Sequence, residues 1–159
     1  ELTELYELRD SYHRINRIQR IEKRIKGKRM AEIIYREEAY KIVGCAMKVH
    51  AELGCGFLEA VYHEALEIIF KAEGVPYVRE PLLNIEFMGR TLRKVYSPDF
   101  VCYDKIIVEL KAQDELTGIN RAQTINYLCA AKLQLGLLIN FGAEHLQHER
   151  LVRHYPSLN

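Results

Sequence analysis

The spacing of apolar residues changes at Tyr77, and this change constrains the fold more than any other feature of the chain. Upstream of Tyr77, apolar residues recur every three or four positions, which is typical of helices. From Tyr77 onward they alternate with polar residues through "YVREPLLNIEF", "TLRKVYSPDFVCY" and "IIVELKA". Because short turn-like segments separate these runs, they predict three strands of an antiparallel meander.

Helical patterns lie on both sides of the predicted strands. Upstream, residues 36–53 and residues 57–74 each predict a helix that ends at a glycine. Downstream, residues 117–133 predict a helix, residues 134–142 a buried strand and residues 148–156 a short closing strand or tail. This order predicts an α/β fold in which helices flank a mixed sheet of roughly four to five strands. On the first helix, the spacing predicts an inner side formed by Ile42, Val43, Ala46, Met47 and His50.

Residues 1–30 have a pattern of their own and are interpreted as a basic amphipathic helical extension of a main domain at residues 31–159. The apolar stripe consists of Leu2, Leu5, Leu8, Tyr12, Ile15, Ile18, Ile21 and Ile25. Such a stripe covers either the main domain or the same helix of a second copy, so a homo-oligomer is one expectation. The spacing is mostly three, which is tighter than a heptad and weakens the coiled-coil version.

Charge is divided unevenly along the chain. Residues 11–30 contain eight Lys or Arg and one Glu, whereas the rest of the chain is mildly acidic. A basic segment of this kind is compatible with nucleic acid or another polyanion as partner, because cationic side chains contact phosphates. The alternative is a solvated helix face, which charge runs usually are.

Composition limits the classes of protein to consider. With 159 residues, 48% of them apolar, the chain can bury one ordinary core. The longest apolar run, "LQLGLLINFGA", is shorter than the roughly 20 residues that a membrane span needs, so we expect a soluble, cytoplasmic protein. Its cysteines form no C-x-x-C pair, which favours buried thiols over a metal or redox site; they are Cys45, Cys55, Cys102 and Cys129.

Three polar residues interrupt two neighbouring predicted strands: Asp99 lies in the first of the two, and Glu109 and Lys111 lie in the second. Glu109 and Lys111 are two residues apart and therefore share one face of a strand. If the loop is the three-residue segment 103–105, Asp99 lies opposite Glu109 on that same face. A two-residue loop would shift the register and turn Asp99 to the other face.

Asp99, Glu109 and Lys111 are together suited to metal-dependent chemistry. Two adjacent carboxylates repel each other and need a cation, and hard oxygen ligands suit Mg²⁺ or Mn²⁺. A nearby lysine can orient a water nucleophile or stabilise the charge that develops on a phosphate. The alternative is an ordinary salt bridge between Lys111 and either acid.

These residues also carry a resemblance to a known group of proteins. "PD" at residues 98–99, followed by "ELK" at residues 109–111, resembles the signature of the PD-(D/E)XK nuclease superfamily. "GFLEAVY" at residues 56–62 is similar to the G-x-x-E-x-x-Y pattern of the bacterial GxxExxY family within it. The resemblance covers roughly residues 37 to 153. It implies a restriction-endonuclease-like fold.

The resemblance implies a role for each matching residue. Asp99 and Glu109 would bind the metal, with the Leu110 carbonyl as a further ligand, and Lys111 would be the catalytic lysine. Glu59 would point to the same metal, as the helix glutamate does in RecB-like relatives; otherwise it is an exposed helix glutamate. Two more residues match the Q-x-x-x-Y motif and would contact phosphate or brace the site, unless they only pack at the sheet edge: Gln123 and Tyr127.

The chain departs from the family pattern at a few positions. Cys55 stands where the family usually has proline, and Ser97-Pro98 stand where an arginine usually precedes the aspartate. His50 occupies the family's histidine position, although a core histidine is the more frequent outcome for such a residue. The function expected is a Mg²⁺- or Mn²⁺-dependent nuclease that hydrolyses phosphodiester bonds of DNA or RNA. The alternative is a catalytically inactive nuclease-like module for nucleic-acid binding or oligomeric assembly.

Overall fold

The computed structural model of the chain describes residues 34–154. The predicted N-terminal helix and its apolar stripe therefore lie outside the described residues. The described elements follow in the order α1 (Arg36–Leu53), α2 (Glu59–Glu73), β1 (Tyr77–Arg79), β2 (Leu83–Phe87), β3 (Arg90–Tyr96), β4 (Phe100–Cys102), β5 (Ile106–Lys111), α3 (Gly118–Ala131), β6 (Leu135–Asn140) and β7 (Gln147–Val152).

A mixed five-stranded sheet forms the centre of the fold. Its strand order is β1-β4-β5-β6-β7. The pairs β1–β4, β4–β5 and β6–β7 are antiparallel, whereas β5 and β6 are parallel. The parallel pair requires a crossover, and α3 supplies it. The predicted α/β class, with a restriction-endonuclease-like mixed sheet of this size, is confirmed.

Alternating side chains of β5 contribute to two cores on opposite faces of the sheet. Ile106, Val108 and Leu110 belong to the larger core, which α1 and α2 cover. Ile107 belongs to a smaller core with Tyr127 of α3. Because side chains of a strand alternate between faces, Glu109 and Lys111 lie on the same face of β5 as Ile107. Helices therefore pack on both sides of the strand that bears the candidate site.

The three-stranded meander predicted for residues 77–112 is wrong. Each of the two longer predicted strands is divided near a proline, at Glu80-Pro81 and at Ser97-Pro98. Proline lacks the N–H that a ladder needs, and Glu80 has a φ of 48°, which turns the chain out of the extended conformation. As a result, β2 and β3 leave the central sheet and pair with each other in a separate two-stranded sheet.

Two predictions about burial also need correction. Met47 does not lie on the inner side of α1: its side chain is exposed, while Cys45 and Val49 are buried. Of the four cysteines, Cys45 and Cys102 are buried as predicted, but the other two are exposed, namely Cys55 and Cys129. All four are free thiols.

His50 lies at the inner edge of α1. Its Nε2 is 3.0 Å from the Ala143 carbonyl oxygen, so the ring is partnered by backbone. This arrangement agrees with a satisfied, half-buried histidine. None of the helices within residues 34–154 combines the length and the apolar character that crossing a bilayer requires.

Candidate active site

The hairpin of β4 and β5 has the register that the candidate site requires. Phe100 pairs with Val108 and Cys102 pairs with Ile106, which leaves a three-residue loop at residues 103–105. The first two loop residues have positive φ values of 54° and 56°, which lets the chain reverse tightly. One step beyond the last pair, Asp99 stands opposite Glu109. The predicted odd loop is thus confirmed.

Asp99 and Glu109 are tied together through the backbone of the opposite strand. The Leu110 amide donates a hydrogen bond of 2.6 Å to Asp99 Oδ2. In return, the Asp99 amide donates a longer one of 3.4 Å to Glu109 Oε2. In a regular ladder each of these amides would donate to a backbone carbonyl. Here each donates to a carboxylate instead, so the two acids hold the end of the hairpin in place. The predicted ligand residue Leu110 thus contacts Asp99 through its amide.

Lys111 continues the same face of β5. Its Nζ is 2.9 Å from Glu109 Oε1, and both side chains are largely buried. The ion pair that sequence analysis raised as an alternative is therefore present. The ion pair does not exclude a catalytic role, because a lysine ammonium can also neutralise charge on a phosphate oxygen.

Glu59 reaches the site from the first residue of α2, and the G-x-x-E-x-x-Y segment explains its position. Gly56 has a φ of 104°, a conformation that side chains rarely adopt. The Tyr62 hydroxyl donates to the Gly54 carbonyl at 2.8 Å and accepts from the Phe57 amide at 3.3 Å. The fully buried tyrosine thereby holds the loop that leads into α2, and Glu59 follows that loop directly.

His63 is a site residue that sequence analysis missed. It lies one helical turn after Glu59, and its Nε2 is 3.8 Å from Glu59 Oε1 and 3.5 Å from Asp99 Oδ1. The residue is 7% exposed. Within residues 34–154, His63 Nε2 is the buried side-chain polar atom that has no hydrogen-bond partner. The i, i+4 spacing of a glutamate and a histidine on one helix was the sequence signal that could have revealed it.

The three side chains offer a ready set of metal ligands. One ligand atom each from Glu59, His63 and Asp99 lies within 4.8 Å of the others. Two carboxylate oxygens and one imidazole nitrogen form a donor set that divalent cations accept. A buried nitrogen without a partner is costly, and a bound cation would satisfy it. The residues present therefore fit a divalent metal.

Burial and mutual repulsion perturb the acids of the site. Burial raises the pKa of Glu109 to about 7, and the neighbouring charge of Asp99 adds to the shift. Burial likewise raises the pKa of Asp99, although the Leu110 amide opposes it. Burial lowers the pKa of Lys111, but the hydrogen bond and charge of Glu109 outweigh this, so the net shift is upward. Carboxyl groups with shifted pKa values of this kind cluster at functional sites.

Gln123 and Tyr127 lie on the face of α3 that covers this side of the sheet. Gln123 Nε2 donates to the Tyr127 hydroxyl at 3.0 Å, as their i, i+4 spacing predicted. Burial raises the pKa of Tyr127, and the charge of Glu109 adds to it. The tyrosine is thus electrostatically linked to the acids, while its ring belongs to the smaller core.

Asn140 holds the chain just beyond Lys111. Its Oδ1 accepts from the Gln113 amide at 3.0 Å and from the Gly142 amide at 3.1 Å. Its Nδ2 donates to the Gln113 carbonyl at 2.7 Å and to Gln147 Oε1 at 3.0 Å. This fully buried amide joins the ends of β5, β6 and β7. It therefore supports the segment that follows the lysine, and sequence analysis did not identify it.

One comparison with known proteins, that with protein families, agrees with the geometry. A family model described as the PD-(D/E)XK nuclease superfamily matches residues 36–153. Among solved structures, the crystal structure of SSO0001 is similar, with a TM-score of 0.49 and 18% sequence identity over 60% of this chain and 50% of that one. The chain thus matches half the length of SSO0001. No curated protein matches the chain.

Proposed function

Because the chain belongs to the PD-(D/E)XK nuclease superfamily, we propose that it is a divalent-metal-dependent nuclease that hydrolyses phosphodiester bonds of DNA or RNA. The observation that carries this proposal is the position of His63 Nε2. It is buried without a partner, and it faces the carboxylates of Glu59 and Asp99. The ion pair of Glu109 and Lys111 lies beside these side chains, on β5, the strand opposite Asp99.

Each residue of the site has its own role in this proposal. Glu59, His63, Asp99 and Glu109 would hold the cation, and the Leu110 carbonyl remains a proposed further ligand. When bound, a divalent cation polarises the phosphate and lowers the pKa of a water molecule. The ammonium of Lys111 would orient that water or neutralise charge on a phosphate oxygen. Gln123 and the Tyr127 hydroxyl would contact the substrate phosphate from α3.

The imidazole of His63 affects which divalent cation the site would bind more tightly. Mg²⁺ strongly prefers oxygen ligands, whereas Mn²⁺ also accepts imidazole nitrogen. We therefore expect Mn²⁺ to bind more tightly than Mg²⁺ and expect the difference to depend on His63. Narrower assignments belong to the same proposal: the GxxExxY family, a RecB-like site, a bacterial cytoplasmic protein, and self-association through residues 1–30.

Metal binding provides the first test of the nuclease proposal. Calorimetry with Mn²⁺ and Mg²⁺ would compare the native chain with Asp99→Asn, and Asp104→Asn would serve as the matched control because Asp104 lies in the exposed loop of the same hairpin. We expect at least a tenfold loss of affinity for Asp99→Asn and no change for the control. No binding to the native chain at millimolar metal would contradict the proposal and favour an inactive binding module.

Spectroscopy tests the histidine separately from activity. In pulsed electron paramagnetic resonance, Mn²⁺ bound to the native chain should show coupling to a ¹⁴N nucleus. This coupling should disappear in His63→Gln and persist in His50→Gln, since His50 is already partnered by backbone. Mn²⁺ that binds without nitrogen coupling would remove His63 from the ligand set.

Cleavage is the final test of the proposed function. Labelled single-stranded and duplex DNA and RNA would be incubated with the native chain and with Lys111→Ala in the presence of Mn²⁺. We expect the variant to retain the metal and to lose activity at least a hundredfold, because removing one charge-stabilising group from an active site has effects of this order. Equal cleavage by both chains would exclude the proposed role of Lys111.

A further inference from the structure

The two-stranded sheet formed by β2 and β3 is the most exposed part of the central domain that the structure describes. This segment, Leu83–Tyr96, is called the β2–β3 hairpin below. At its base it is anchored, because Leu83 and Tyr96 pack against the smaller core under α3. The Tyr96 ring contacts the Tyr127 ring edge to face, with centroids 5.9 Å apart. From that base to its turn, every residue of β3 other than Tyr96 is exposed.

The hairpin carries excess positive charge. Arg90, Arg93 and Lys94 are all exposed, and in the part of the chain that the structure describes none of them forms an ion pair with a carboxylate. The hairpin has a single acidic residue, Glu86, whose carboxylate accepts a hydrogen bond from Thr91 Oγ1 at 2.5 Å. Unneutralised cations on one narrow element create a local potential that attracts a polyanion.

Apolar side chains stand among these cations. Phe87 is 62% exposed and Met88 is 86% exposed at the turn. Leu92 and Val95 are less exposed but also reach solvent along β3. Aromatic and apolar side chains interleaved with Arg and Lys are typical of surfaces that bind unstacked bases and their phosphates together.

The hairpin leads directly into the candidate active site. Its last residue, Tyr96, is three residues before Asp99, a distance of about 10 Å at most along the chain. Tyr96 also contacts Tyr127, which is bonded to Gln123 at the site. A ligand that lies along β3 would therefore end within a few residues of Asp99.

We propose that the β2–β3 hairpin is a binding arm for single-stranded nucleic acid, which it holds through Arg90, Arg93, Lys94 and Phe87 and delivers to the site at Asp99. The inference deepens the proposed nuclease function by naming its substrate form. Single strands are favoured over duplex because Phe87 can stack only on a base whose face is free. The cations favour nucleic acid over an apolar protein partner.

The dimensions of the hairpin set a substrate length. β3 has 7 residues and extends over about 20 Å at about 3.3 Å per residue. A stacked strand rises about 3.4 Å per nucleotide and an unstacked strand is longer, so that span holds at most about six nucleotides. We therefore expect the hairpin to matter for long oligonucleotides and to have little influence on di- and trinucleotides, which cannot reach from the site to the turn.

Binding without cleavage tests the arm independently of the nuclease activity. Fluorescence anisotropy would be measured with a labelled 20-nucleotide single strand, in EDTA, on full-length chains that carry Asp99→Asn. The variant R90Q/R93Q/K94Q should weaken binding at least tenfold and reduce the slope of log affinity against log salt by about 2, because each lost phosphate contact accounts for about 0.7.

Matched controls distinguish binding by the β2–β3 hairpin from a general effect of the protein's positive charge. The triple variant R36Q/K41Q/K48Q removes the same charge from α1, which covers the opposite face of the sheet, and should leave affinity within twofold. Phe87→Ala should weaken single-strand binding several-fold and duplex binding much less. Tyr40→Ala removes another exposed aromatic ring, which is 80% exposed on α1, and should have no effect.

The possible results of this experiment separate the two proposals. If the native chain cleaves nothing but the hairpin variants lose binding, the nuclease proposal fails and the arm is supported. If the native chain cleaves and R90Q/R93Q/K94Q binds and cleaves a 20-mer like the native chain, the arm is overturned. Equal loss in R36Q/K41Q/K48Q, tighter binding of duplex than of single strands, or hairpin variants that change only self-association would also overturn it.

Discussion

The side chain of Tyr62 shows how Gly56, Glu59 and Tyr62 act together in the segment before the site. The tyrosine does not face the metal-binding group. Its ring stacks on Phe141 with centroids 4.6 Å apart, and its hydroxyl is bonded to the loop that precedes Glu59. It is thus a positioning residue that acts through the loop, while Glu59 and His63 contact the site.

Tyr62→Phe tests this positioning role. The variant keeps the ring and removes two hydrogen bonds, so we expect a loss of about 1–2 kcal/mol in the free energy of unfolding. Because the loop then holds Glu59 less firmly, Mn²⁺ affinity should fall several-fold. Denaturant unfolding and calorimetry would measure the two effects. Tyr40→Phe, at an exposed position of α1, is the control, and the same values for both variants would refute the role.

At this scale the sequence predicted the site unevenly. Glu109 and Lys111 were predictable as neighbours because strand period determines which side chains share a face. The position of Asp99 depended on the loop length, which the structure decided. Gln123 and Tyr127 were paired correctly because i and i+4 meet on any helix. His63 was missed because its meaning depends on how α2 lies against Asp99, and no local pattern contains that information.

At the scale of the elements, the buried side-chain amide of Asn140 holds the ends of β5 and β6 in place. Asn140 pairs with Lys111 across the parallel ladder, and its side chain makes four hydrogen bonds around Gln113, Gly142 and Gln147. A glycine is needed at position 142, since an added Cβ would lie 2.2 Å from the Gln113 amide nitrogen. The segment after Lys111 is thus held by polar contacts.

Asn140→Ala should be among the most destabilising single changes in this domain. Removing the amide leaves partly buried backbone groups of Gln113 and Gly142 without this partner, which costs about 2–4 kcal/mol in the free energy of unfolding. Urea unfolding followed by circular dichroism would measure it. Asn126→Ala, on the exposed side of α3, should remain within about 0.5 kcal/mol of the native chain. A small effect of Asn140→Ala would show that water replaces the amide.

For the molecule as a whole, we expect the buried acids to make stability depend on pH and on the proposed metal. Glu109 has an ordinary pKa of 4.5 in the unfolded chain and a pKa raised to about 7 by burial and by Asp99. Below pH 4.5 the group is neutral in both states and its contribution is fully present. As pH rises toward about 7, the unfolded chain ionises first, so that contribution is lost.

The metal-free protein should therefore lose stability between about pH 4.5 and pH 7. The loss from Glu109 is on the order of 3 kcal/mol, since one pKa unit corresponds to about 1.4 kcal/mol. Thermal unfolding in EDTA across this range would measure it, and Glu109→Gln should flatten the profile. Millimolar Mn²⁺ should restore stability at pH 7, because binding to the ionised site favours the folded state. A native profile that matches Glu109→Gln would refute the assignment.

The pH dependence of stability that Glu67 contributes has the opposite sign to that of Glu109 and acts at acid pH. Hydrogen bonds from Tyr77 and Arg79 hold the pKa of Glu67 at about 2, below its ordinary value of 4.5. Its contribution is present above pH 4.5 and is lost as pH falls toward 2. Together with Glu109, this predicts that the metal-free domain is most stable on the acidic side of neutrality.

Chain-local physics allowed the sequence by itself to determine the helices on both sides of the strands, the shared face of Glu109 and Lys111 and the i, i+4 pair of Gln123 and Tyr127. Periodicity and the positions of glycine and proline act over a few residues, so they can be read directly. Only the tertiary structure decided the rest. It brought α2 against the hairpin so that His63 meets Asp99, moved β2 and β3 out of the central sheet, and enclosed Asn140, because packing between distant segments determines each of these contacts.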